Sequence, residues 1–168
     1  MTYRHSVWHQ NYIQNPQPNS LTWNTLFHNH FRLPYSSYLE LLRECKSSSL
    51  FNQWGTDKVN GYNKKPSSSI ELLLLAALRY LGRGWTFDDL QEATIINYET
   101  IRLFIHKFIE FGSTVLYKQY VISPSTSEQL AECGSQFSLA GMPGCIGSTD
   151  ATHVVMEKCI YRLAPLRL

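Results

Sequence analysis

The stretch IELLLLAALRYLGRGWTFDDLQEATIINYETIRLFIHKFIEF, Ile70 to Phe111, decides the fold class, because it holds three helical patterns in succession with a turn signal after each of the first two. Its first part, Ile70 to Leu81, is apolar almost all round, as expected of a helix in the middle of a helical domain. Glu71 and Arg79 interrupt that run, and it falls short of the roughly 18 to 20 apolar residues a membrane span needs. It stops at Gly82 to Gly84, whose glycines can adopt the left-handed conformation that closes a helix. Thr86 then stands three residues before Asp89, a variant of the capping box that opens a helix over Phe87 to Ala93. Asn97, three residues before Thr100, is the next start signal. Beyond it Ile101, Phe104, Ile105 and Phe108 fall on one face, while Glu99, Arg102, Leu103, His106, Lys107 and Glu110 cover the rest.

Upstream, Leu21, Leu26, Phe27 and Phe31 precede a break at Pro34, and Tyr38, Leu39, Leu41 and Leu42 resume helical spacing, which predicts two short helices. Lys46 to Ser69 reads as a loop containing Gly55, Gly61 and Pro66, with Ser69 or a neighbouring serine as the cap of the next helix. Residues Met1 to Ser20 are rich in Asn, Gln and Pro with few aliphatics, and are expected to be a disordered leader. Downstream, Ser123 with Pro124 opens one more helix, to about Leu139. The pattern then changes: Gly141, Pro143 and Gly144 break the chain, and Cys145 to Glu157 reads as a β-strand. In that strand Ile146, Ser148, Asp150, Thr152 and Val154 share a face, and an acid among hydrophobic neighbours wants a metal or a cationic partner.

The chain of 168 residues is 43% hydrophobic, enough for one domain with a core, or one domain and a fragment of another. Its three expected regions are 1–20, the leader; 21–140, the helical region; and 141–168, the opening of a different fold. The net charge of +2, from 15 basic against 13 acidic residues, neither supports nor excludes a nucleic-acid partner. Cys45, Cys133, Cys145 and Cys159 show no CxxC pair, and no secretory signal precedes them, which favours a reduced intracellular compartment and no membrane association.

Two constellations could carry chemistry. The first is a helix-turn-helix, with DLQEA as the supporting helix, a short TIINYE connection, and Thr100 to Phe111 as the second helix. Tyr98, Glu99, Arg102 and His106 are its early outward residues, and Arg102 and Lys107 its definite cations; Tyr98, Arg102, His106 and Lys107 are the candidate DNA contacts. The competing reading is a plain helical scaffold with a solvated face. The second constellation is GMPGCIGSTDATHVVMEKC, Gly141 to Cys159. As a zinc set, Cys133, Cys145, His153 and Cys159 lack the paired short spacings of structural sites, and His5 with His9 lacks further ligands. A Cys145 and His153 nucleophile pair lacks an orienting third group.

With its glycine and proline turn followed by GSTDATH, the second constellation resembles the PIF/Harbinger-type DDE transposases and the domesticated nucleases similar to them. The resemblance extends upstream through FRLPYSSYLELL (Phe31 to Leu42), the Gly61 to Pro66 loop, Ile70 to Thr94 and the helix starting INYETI, several motifs in one order. It implies a mainly α fold: a helical domain containing a helix-turn-helix, then the first β-strand of a truncated RNase H-like nuclease core. It makes Asp150 the first aspartate of the catalytic triad and a metal ligand, and gives His153 a supporting catalytic role. It further implies a divalent metal (Mg or Mn), DNA as partner together with a Myb-like DNA-binding protein, and a nuclear location.

Two-metal phosphodiester chemistry needs several converging acids. After Asp150 the only acid is Glu157, which strand parity places on the opposite face. The chain therefore reads as an N-terminal part of such an enzyme, inactive by itself, its last strand short of pairing partners and aggregation-prone. A DNA- or protein-binding helical module without catalysis, and a non-functional transposon remnant, are the competing readings.

Overall fold

In a computed structural model the chain is mainly helical; residues 3–55, 68–121 and 124–147 are described. They fall into two compact units, residues 1–121 and 122–168.

The first unit is built around the helix whose sequence is apolar on every side. It runs Ile70–Arg83, α4 below, since three shorter helices precede it. Ser69 caps it by accepting from the Leu72 amide, and Gly84 closes it at φ +66°. Leu72 to Ala77 are fully buried without exception, which is what all-round apolarity demands. Each leucine so buried contributes about 2 kcal/mol relative to exposure.

Around it pack α1 (Leu21–Phe31) and α2 (Tyr35–Ser47), separated as expected at Pro34, and α5 (Phe87–Thr94) and α6 (Tyr98–Phe111). The capping box at the start of α5 forms in full: Thr86 Oγ accepts from the Asp89 amide while the Asp89 carboxylate accepts from the Thr86 amide. On α6 the apolar stripe is buried at Ile101, Phe104, Ile105 and Phe108, and Phe111 extends it.

The helix does not end at Phe111. A single wider, π-type turn, Gly112–Leu116, leads directly into α7 (Tyr117–Tyr120), whose Gln119 and Tyr120 donate to the Glu44 carboxylate of α2.

In the first unit, the sequence-based expectation fails in two places. The leader, described from residue 3, is not disordered: Tyr3–His5 and His9–Gln14 form helical turns, and Trp8 and Tyr12 are buried. Composition misled because three aromatics outweigh the missing aliphatics. Tyr12 lies within aromatic contact of Trp23, Phe27, His30 and Phe31, and Trp8 meets Phe31 and Trp85 edge-on and tilted.

The segment after α2 is likewise not all loop. Ser49–Phe51 makes a 3-10 turn and α3 (Asn52–Gly55) follows, because Phe51 and Trp54 bury themselves against Phe104 of α6, Phe51 also against Phe111. Residues 56–67 lie outside the described residues.

In the second unit the helix starts later than expected. It is α8 (Ser127–Leu139), opened not by Ser123 and Pro124 but by a full capping box between Thr126 and Gln129. It buries no residue, in keeping with its polar sequence. Gly141 and Gly144, both at φ +82°, make the turns that follow. Cys145 to Gly147 have no regular structure, and the rest of the expected strand lies outside the described residues.

Candidate nucleic-acid interface

The connection from α5 to α6 is three residues, Ile95 to Asn97, and side chains fix it at both ends. Thr94 Oγ donates to the Leu90 carbonyl and accepts from the Ile96 amide, which seats Ile96 in the core. Gln91 Oε1 accepts from the Tyr98 amide at 2.7 Å, and Asn97 caps α6 by accepting from the Glu99 amide. Ile95 closes α5 in the left-handed region at φ +58°, a conformation that a β-branched residue adopts only at a cost. Packing of Ile96 on one side and the Gln91 bond on the other hold it there.

This wiring presents all four expected contact residues outward, at least in part. Tyr98 is 39% exposed and meets Phe87 edge-on; His106 is exposed; Arg102 and Lys107 are half-exposed. Yet both cations are already engaged. Arg102 grips Glu99 with Nε and Nη2, and Lys107 Nζ lies 2.7 Å from Glu110 Oε2. Hydrogen bonding to Arg102 holds the Glu99 carboxyl below its ordinary range, and the same bond raises the Arg102 guanidinium. Such i, i+3 pairs at the surface are weak because solvent screens them, so an approaching phosphate could displace either carboxylate. Counted together, Glu99, Arg102, Lys107 and Glu110 sum to zero charge.

Asp150 and His153, the expected catalytic pair, lie outside the described residues, as do Cys159 and Glu157. Among the described residues no group of three His, Cys, Asp or Glu side chains could hold a metal ion. Cys133 and Cys145 are free thiols in the second unit; in the first, burial pushes the Cys45 thiol up to about 12, leaving it unreactive near neutral pH.

No protein-family model, curated protein or solved structure matches the chain.

Sequence reasoning overlooked Arg79. It reads there only as an interruption of the apolar run, whereas in the fold it is buried and its Nη1 donates 2.7 Å to the His30 carbonyl, one of the carbonyls that α1 leaves unpaired at its C-terminal end. Its guanidinium carbon lies 4.1 Å from the centre of the Trp85 ring. The available signal was the pairing of a cation inside an apolar run with a tryptophan just past the helix end.

Proposed function

We propose that this chain is the DNA-handling N-terminal region and the first catalytic acid of a PIF/Harbinger-type DDE transposase. The observation that carries the reading is the ordered set of motifs from Phe31 to Thr94 ending in GSTDATH at Gly147 to His153. The capped α5 and α6 with their three-residue connection are compatible with a helix-turn-helix, in which Tyr98, Arg102, His106 and Lys107 would meet the duplex. Asp150 would supply one carboxylate to a divalent metal, Mg or Mn, and His153 would support it. A pair of such ions, held by Asp150 together with further acids, would supply activation of the attacking oxygen and stabilisation of the leaving oxygen of a DNA phosphodiester.

One acid does not hold two such ions, so binding without cleavage is the expected behaviour of residues 1–168. Purified protein should bind duplex DNA with a steep salt dependence and leave supercoiled plasmid intact in Mg or Mn. Nicking that Asp150→Ala abolishes would contradict the second half of this expectation; absence of any binding at low salt would remove the first.

The self-paired cations of α6 favour a second reading, a helical module that docks on a protein instead of on DNA. Under it, the purified chain shows no salt-dependent binding to duplex DNA even at low ionic strength.

A further inference from the structure

The ends of α1 and α4 meet at one corner of the first unit. Arg32 terminates α1 in the left-handed conformation at φ +59°, and its side chain lies against Gly82, where an added Cβ would stand 3.0 Å from Arg32 Cγ. Arg83 is the last residue of α4, and Arg79, one turn earlier, reaches the carbonyl of His30 from beneath. Arg32 and Arg83 are exposed; Arg79 is buried, and its Nε has no hydrogen-bond partner.

No described carboxylate forms an ion pair with any of the three, in contrast to Lys46, Arg102 and Lys107, each of which has one. Three acids of α5 lie on the same side of the chain, Asp88, Asp89 and Glu92, and Asp89 and Glu92 share a pocket with Trp85; Asp89 is occupied by the capping box, and none of the three forms an ion pair with these arginines.

Compensation of the helix ends does not account for so much charge. Two helix C-termini carry about −0.5 each, whereas three guanidinium groups carry +3, so a net charge of roughly +2 remains uncompensated. The burial of Arg79 adds to this. Its hydrogen bond to the His30 carbonyl and its contact with the Trp85 ring hold the guanidinium in place, but neither partner carries a negative charge that would cancel its own. The positive charge open to a ligand at this corner is therefore that of Arg32 and Arg83, with the charge of Arg79 added from below. The influence of Arg79 and Arg83 reaches His30 as well, whose pKa is lowered first by burial and then by those two charges.

We propose that this corner, with Arg32 and Arg83 as the contacting groups and Arg79 as a fixed charge beneath them, is a second contact surface for the phosphate backbone of duplex DNA. It rests on the DNA-binding half of the function proposed above, but on different residues. Planar guanidinium groups suit phosphate oxygens, and two of them on adjoining helix ends act as a clamp on the backbone that carries no base specificity.

The test uses the full chain and a fluorescently labelled 20-base-pair duplex of arbitrary sequence, with affinity measured across a salt series. Arg32→Asn with Arg83→Gln removes both contacting charges, and Asn tolerates the left-handed conformation at position 32. That double variant should bind at least about tenfold more weakly at low salt, with the slope of log affinity against log salt reduced by about two. Arg32→Lys with Arg83→Lys keeps the charges and should restore most of the binding, which separates lost charge from lost folding. Unchanged affinity in the Asn and Gln variant, beside weakened binding by Arg102→Ala with Lys107→Ala, would overturn the corner and leave the DNA-binding function standing. Failure of the unaltered chain to bind the duplex would overturn both.

Discussion

The outer face of α6 and the corner where α1 and α4 end carry similar numbers of cations and use them in opposite ways. On α6 each cation faces a carboxylate one turn away, so the face is neutral, exposed and energetically cheap. At the corner one arginine is buried under two exposed ones, with an indole ring and a backbone carbonyl as its partners and no acid. A helical pattern therefore identifies which residues point outward without saying whether their charge is available. Availability depends on what stands three or four residues away and on what other helices bring near.

The largest expected difference between the two regions is in stability. Arg79→Ala should cost about 2 to 4 kcal/mol, since it strips the His30 carbonyl of its donor and opens a cavity against Trp85. Arg102→Ala should leave the stability nearly unchanged, because its ion pair is screened by solvent. Chemical denaturation of both variants checks this, and equal effects would erase the contrast.

A smaller effect sharpens the DNA side of the comparison. Glu99→Gln frees Arg102, and if α6 meets the duplex, binding at moderate ionic strength should tighten about threefold, near the value of one added phosphate contact. No change would leave the corner as the contacting surface.

The least pronounced effect is on pH dependence. The pKa values of His9 and His30 are both lowered, by burial first and then by neighbouring arginines. With the folded values depressed, the unfolded chain takes up protons first, so the contribution of these groups is fully present above about pH 6.5 and is lost as pH falls through the folded values. Melting temperature should therefore decline from pH 7 to pH 5, and His9→Gln with His30→Gln should flatten that decline.

Much of the helical order was legible because local chemistry and tertiary demand agree. The Ser69, Thr86 and Asn97 caps, the Gly84 stop and the stripe from Ile101 to Phe108 act as their residue types dictate. What was illegible depends on distant partners. Nothing local to Trp8 or Tyr12 announces that Phe31 and Trp85 wait for them, and the loop-like composition around Phe51 and Trp54 hides two side chains that complete the base of α6. Helical periodicity marks Tyr98, Arg102, His106 and Lys107 as outward-facing but is silent on the ion pairs of the two cations, and an arginine inside an apolar run does not reveal the carbonyl and ring that hold Arg79.

The wide turn at Gly112–Leu116 has its own consequence. It acts as a phase shift in an otherwise continuous rod: with Tyr117 donating back to Gly112 five residues earlier, one residue is absorbed without breaking the helix. The apolar stripe that ends at Phe111 is thereby taken out of step, and what comes round to α2 is a pair of hydrogen-bond donors, Gln119 and Tyr120, gripping Glu44. One rod thus serves two neighbours in two chemical languages, oil toward the core and hydrogen bonds at the rim.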